Sequence, residues 1–141
     1  MHTAEHVLNQ TMIRLFGTKR CFSAHIEAKK SKCDYHFDRD LTNEEAINLE
    51  NKINEVISQD LPVKEEFIIR RLALEKYDLS RLPENDEETI RIITIGDYDS
   101  APCIGPHVKS IKELGKFKII SHDYKEGVLR LRYKLELNSL F

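Results

Sequence analysis

"TNEEAINLENKINEVISQDLPVKEEFII", residues 42–69, changes its apolar rhythm part-way, and that change sets the class of fold. Thr42 followed by Glu45 is a capping-box start, in which two side chains satisfy backbone N–H groups that a helix leaves open. Ile47, Leu49, Ile53, Val56 and Ile57 then read as the apolar stripe of a helix. Pro62 ends that region, since it has no N–H to donate. Residues 63–69 follow as a strand and residues 70–77 as a short helix.

On the N-terminal side, residues 2–16 read as a helix. Val7, Leu8, Met12, Leu15 and Phe16 recur at helical spacing, and Gly17 is a natural stop. Residues 20–28 and 32–38 read as two strands of a hairpin, with KKSK as its polar turn. On the C-terminal side, the acidic run PENDEE, residues 83–88, reads as a surface loop. TIRIITI, residues 89–95, is a β-branched strand that runs into the loop APCIGPHVKS, residues 101–110. FKIIS, residues 117–121, and VLRLRYKLEL, residues 128–137, are two further strands joined by HDYKEG, where Gly127 is free to take a positive φ. No repeat, linker or low-complexity tract interrupts the pattern. The expected architecture is a single α+β domain over residues 1–141, with a largely antiparallel sheet packed with helices.

Composition narrows the class. The chain has 141 residues, enough for one domain with a real core. No apolar run approaches the roughly 18 residues of a membrane span, so no membrane role is expected. The N-terminus lacks the basic start, apolar block and small-residue cleavage site of a signal peptide. Three cysteines, Cys21, Cys33 and Cys103, are an odd number and widely spaced, which fits free thiols in a reducing cytoplasm. Cys21 and Cys33 sit in apolar segments and read as core or sheet residues. The net charge of −2 conceals an asymmetry. Residues 1–37 carry 6 Lys/Arg and 3 Asp/Glu, residues 38–99 carry 8 and 17, and residues 100–141 carry 8 and 4. The basic ends could offer one face to a polyanion, or simply be solvated.

The chemistry gathers in two places. His2 and His6 are four apart in HTAEH, which puts both imidazoles on one face of a helix, close enough to share an ion. A zinc-protease reading fails, because that motif needs Glu directly after the first histidine and here Thr3 stands there. Cys103 and His107 lie on a loop that Gly105 and Pro106 keep from being helical. Three nitrogens and one sulfur suit tetrahedral zinc. Each half alone is common on a surface helix or in a loop; together they form a candidate site of His2, His6, Cys103 and His107.

HTAEH with a downstream C-x-x-x-H resembles the editing domain shared by alanyl- and threonyl-tRNA synthetases, and its free-standing relatives, the AlaX trans-editing proteins. FDRDLTNEEAINLENKINEVISQDLPV is similar to the middle segment of that family, and IRIITIGDYDSAPCIGPHV followed by ELGKFKIIS resembles its ligand loop and next strand. The length matches the shortest free-standing members. Alanyl-type members commonly carry Cys-Gly-Gly-Thr-His; here the loop is Cys103-Ile104-Gly105-Pro106-His107, and its Gly-Pro-His ending is closer to the threonyl type, which does not generally require zinc.

The resemblance implies a cytoplasmic aminoacyl-tRNA deacylase. It would remove a misattached amino acid, foremost serine or glycine from alanine tRNA, with serine on threonine tRNA as the alternative. Such near-isosteres differ by only about 1–3 kcal/mol in binding, so a second, hydrolytic sieve is needed. Zinc would sit on His2, His6, Cys103 and His107. Without it, a neutral His2 or His6 would act as general base. Cys103 as a covalent nucleophile would need a base and oxyanion donors that the sequence does not single out. Lys109, Lys112, Lys116 and Lys118 after the loop, and Lys29, Lys30 and Lys32 at the hairpin tip, are candidate phosphate contacts. The rival readings are a non-catalytic, zinc-containing module that binds tRNA or a synthetase, and a metal-dependent hydrolase of small amino-acid esters or amides.

Overall fold

The capping box forms as the sequence requires. In the computed structural model, which describes residues 1–82 and 88–136, the Glu45 N–H donates to Thr42 Oγ1 at 3.1 Å and the Thr42 N–H donates to Glu45 Oε1 at 2.9 Å. The helix it opens, α2, runs Asn43–Ser58 and buries Leu49, Ile53, Val56 and Ile57. Ile47 departs from the expected stripe and is 57% exposed. Two residues before Leu49, it lies roughly 200° around the helix from it, on the solvent side.

The first helix, α1, spans His2–Phe16 and stops at Gly17, whose φ of 68° is the left-handed value a glycine adopts freely. The hairpin follows as β1, Ser23–His25, and β2, Ser31–His36. It is shorter than the sequence implied. Residues 20 and 21 leave the ladder because the Arg20 guanidinium binds Asp99 at 2.7 and 3.1 Å and the Cys21 N–H donates to Asn9 Oδ1 at 3.0 Å. Strand β3, Val63–Ile69, short helix α3, Arg70–Lys76, and strand β4, Thr89–Ile95, fall where expected. Strand β5, Asp99–Pro102, and a 3₁₀ turn, Ile111–Leu114, had no clear sequence signal. Strands β6, Lys116–Lys125, and β7, Val128–Glu136, take in most of the expected HDYKEG connection. The turn itself is only Glu126–Gly127, since Lys125 already pairs with Val128. The expected acidic loop at 83–88 lies, apart from Glu88, outside the described residues, as does the last residue of the expected final strand.

Two antiparallel sheets result, ordered β1-β2-β7-β6 and β3-β4-β5, so the fold is α+β. The inner face of the larger sheet, with Cys33, Tyr35, Leu129, Leu131 and Tyr133, packs under Val7, Leu8 and Met12 of α1 and Leu49 and Ile53 of α2. Truncating one of these leucines to alanine removes about 2–5 kcal/mol. Cys21 and Cys33 are both buried here as free thiols, in keeping with their reading as core residues. The smaller sheet has its own cluster of Ala73, Ile90 and Ile92, and it holds β5 against α1. No described helix is long and apolar enough to cross a membrane.

Candidate active site

Helix α1 presents His2, Thr3 and His6 toward the loop that follows β5. Strand β5 starts the approach: Asp99 is buried and gathers Arg20, Gln10 at 2.9 Å and, at 3.3 Å, the Nδ1 of His6. The Asp99–His6 contact is close enough to pair electrostatically, yet it is not aligned as a hydrogen bond. The loop is then pinned by Arg91 on β4, whose guanidinium donates to the carbonyls of Cys103 at 3.1 Å and Gly105 at 2.7 Å. Glu65 on β3 holds that guanidinium from its other edge at 2.7 Å.

The loop meets the helix at Thr3. Its hydroxyl accepts the Val108 N–H at 3.3 Å and hydrogen-bonds His107 Nδ1 at 2.8 Å. That bond fixes the imidazole and directs its other nitrogen, Nε2, inward, where it is buried with no hydrogen-bond partner among the described residues. His6 and His107 meet edge to face with ring centroids 4.8 Å apart. One ligand atom each from His6, Cys103 and His107 lie within 4.8 Å of one another. His2 stands beside this trio, its Nδ1 4.0 Å from Cys103 Sγ and its ring centroid 6.2 Å from that of His107. Of the four residues predicted from sequence, three thus converge tightly and the fourth flanks Cys103. Close approach requires Gly105: a Cβ built there would lie 2.5 Å from the His2 ring.

The protonation tendencies of His2, Cys103 and His107 favour a ligand set, whereas that of His6 opposes it. Burial and the neighbouring charges of His6 and Arg91 push His107 down to about 3, so it is a neutral donor. Burial likewise lowers His2. Burial opposes the charged form of His6, but its contacts with Asp99 and Cys103 outweigh this and hold it above its ordinary value. Burial would raise the Cys103 thiol, yet the close approach and charge of His6 bring it below its usual range. A lowered thiol, a neutral imidazole and an orphaned buried nitrogen are what a borderline-soft cation such as zinc takes up, so the residues fit that ion. Thr3 on Nδ1 then supplies the outer hydrogen bond that ligating histidines need. A second triad, Glu5, Cys21 and Cys33, is equally close. There the Arg81 guanidinium already supplies the positive charge, 2.8 Å from Glu5 and 3.2 Å from Cys21 Sγ.

His6 and Cys103 of the trio open into a cavity of about 820 Å³, at the upper part of the range for small-ligand sites. His2, His6 and Cys103 line one part of it, and Phe22 and His36 of the hairpin line another. Sequence reasoning missed Thr3, Asp99, Arg91 and the packing role of Gly105. Only Thr3 left a signal: it precedes His6 by three, so helical spacing puts it on the same side.

The candidate phosphate contacts lie on the larger sheet and on the segments that join its strands or lead into it. Lys29 and Lys30 are exposed at the hairpin tip, while Lys109, Lys112, Lys116 and Lys118 are exposed after the loop. β1 and β6 are opposite edges of the sheet, so these two groups are separated. Lys32 faces Arg132, and Lys118 faces Lys134, which extends the basic row across the outer face. Arg132 and Lys134 were legible in the alternation of VLRLRYKLE but were not picked out.

Residues 90–132, which include Cys103 and His107, match the threonyl and alanyl tRNA synthetase second additional domain. That match covers the second ligand half of the site and the strands around it. The chain is 34% identical over 137 residues to the alanine–tRNA ligase of Aeropyrum pernix, covering 94% of this chain and 15% of that protein. It is 30% identical over 132 residues to the alanine–tRNA ligase of Bdellovibrio bacteriovorus, covering 92% and 15%. With the alanine–tRNA ligase of Treponema pallidum it shares 31% over 137 residues, covering 96% and 23%. The chain therefore spans between a seventh and a quarter of the length of these relatives. Kinship to the second additional domain implies a role in tRNA editing or tRNA binding.

Proposed function

We propose that residues 1–141 form one cytoplasmic editing domain that hydrolyses the ester between a misattached amino acid and the 3′ end of a tRNA, foremost serine or glycine on alanine tRNA. The observation that carries this reading is the convergence of His6, Cys103 and His107 beside His2, with His2, His6 and Cys103 on the wall of an open cavity. Serine on threonine tRNA is the second reading, favoured by the Gly105-Pro106-His107 ending of the loop.

His6, Cys103 and His107 would hold zinc, with His2 beside them. The ion would supply positive charge to polarise the ester carbonyl. The chain's own groups do the rest. His2, half-buried and neutral, is placed to take a proton from water as general base. Water oxygen bonds to the carbonyl carbon, the bond to the ribose oxygen breaks, and the proton returns to that oxygen, leaving free amino acid and uncharged tRNA. Arg91 and Thr3 keep the loop in register, which is the positioning contribution to rate. Cys103 Sγ accepts the Gly105 N–H at 3.4 Å and faces the histidines, a setting that suits a ligand better than a nucleophile. Lys32, Lys109, Lys112, Lys116 and Lys118, with Lys29 and Lys30, would contact tRNA phosphates and position the acceptor end without reading its sequence.

The test is to incubate the purified protein with serine attached to alanine tRNA and to threonine tRNA and to follow amino-acid release. Release from alanine tRNA is expected. Tight binding of both tRNAs without release of serine or glycine would replace hydrolysis with a non-catalytic binding role.

A further inference from the structure

Phe22 is a large apolar side chain left 40% exposed, although one face of its ring is already covered. That cover is His36: the two rings stack at 3.9 Å between centroids and 12° between planes. Both line the cavity that also holds His2, His6 and Cys103. Ala24 and Ile26 extend the apolar wall, and Lys19 and Arg81 bring positive charge to the same cavity. Arg81 is held in place by Glu5 at 2.8 Å.

A flat, supported aromatic surface beside cations is the combination that binds nucleobases, because every base has a π-face and the strand that carries it is a chain of phosphates. We propose that the Phe22–His36 stack is the platform for the terminal adenine of the RNA substrate. The inference rests on the deacylase reading, since an ester on the last ribose puts the last base within one sugar of the reacting carbonyl. Stacking on Phe22 would hold the base, Lys19 and Arg81 would face the sugar-phosphate, and the ester would project toward His2 and Cys103. The recognition is of a purine face, so it fixes the substrate's end without identifying which tRNA carries it.

The chain contains no tryptophan, so Phe22→Trp creates a single fluorophore at the platform. Its emission should be quenched by adenosine monophosphate and, at lower concentration, by the trinucleotide C-C-A, with weaker quenching by C-C-U. Absence of adenine-dependent quenching by either ligand would overturn the platform. Quenching by the mononucleotide but not by C-C-A would overturn its assignment to an RNA terminus. In steady-state deacylation, Phe22→Ala should raise KM by roughly 5- to 150-fold with little change in kcat, and Phe22→Tyr should restore it. An unchanged KM for Phe22→Ala also overturns the proposal. The two readings fail separately. Adenine-dependent quenching without hydrolysis of any charged tRNA removes the deacylase and leaves the platform. Hydrolysis with a silent tryptophan does the reverse.

Discussion

Gly105→Ala tests how tightly the loop is built onto α1. The added methyl would lie 2.5 Å from Cγ and Nδ1 of His2 and 2.6 Å from Cδ2. Carbon contacts ordinarily settle at about 3.5–4.0 Å, so ring and loop must separate by roughly 1 Å. The near atoms include the base of the imidazole, which cannot swing aside as the tip of a long chain can. Overpacking of this size removes about 1–3 kcal/mol of stability. A misplacement near 1 Å can reduce turnover by roughly 100-fold. The assay is deacylation of serine on alanine tRNA, run beside denaturant unfolding of four proteins: the parent, Gly105→Ala, His2→Ala and the double variant. If the clash is with His2, removing the imidazole relieves it, and the double variant is more stable than additivity allows. Unchanged stability and turnover in Gly105→Ala would refute the close-approach argument. A stability loss that His2→Ala does not relieve would place the strain elsewhere.

Three further outcomes are expected. Cys103→Ser should lose zinc and activity together, because a neutral hydroxyl cannot replace a thiolate; elemental analysis that finds zinc retained while turnover vanishes would reopen a covalent role. Thr42→Ala should cost about 1 kcal/mol in thermal or denaturant unfolding through loss of the α2 cap. The same box gives a pH signature: the Arg39 guanidinium, with the Thr42 N–H, lowers the Glu45 carboxyl from its ordinary 4.5 to about 2. Its stabilising contribution is therefore present above about pH 4.5 and lost as pH falls through 2, and Glu45→Gln should flatten that acid limb. Changing Lys109, Lys112, Lys116 and Lys118 together to alanine should lower the slope of log affinity against log salt by about one unit per lost phosphate contact, with zinc content unchanged. An unchanged slope would move the tRNA face elsewhere.

Much of the fold could be read because it depends on local chemistry. The Thr42–Glu45 cap, the Leu49–Ile53–Val56 stripe and the Gly17 stop are settled within a turn or two of helix. The β-branched run of β4 is equally local. What escaped depends on distant partners. Strand β1 is clipped because Asp99 and Asn9, far along the chain or on another element, draw off Arg20 and Cys21. Strand β5, with sequence DSAP, has no strand character of its own and is made by pairing with β4. The site divides the same way. Residue type and spacing exposed His2, His6, Cys103 and His107. Asp99 and Arg91 act through tertiary contacts that no spacing encodes, so two of the groups that orient the site were invisible.

The Thr3–His107 bond joins positions 104 residues apart. Contacts of that span form late in folding, after the loop between them has been closed by other structure. The helix end they fasten is weak on its own: Met1 occupies the N-cap and gives no side-chain hydrogen bond. The first turn of α1, which carries His2, Thr3 and Glu5, is thus ordered by tertiary contacts, the loop on Thr3 and Arg81 on Glu5, rather than by its own start. Fraying of that single turn would scatter His2 and release His107 while leaving the sheet and α2 intact. The site can consequently be dismantled by an opening far smaller than global unfolding, and its amides should exchange with solvent hydrogen well before those of the core.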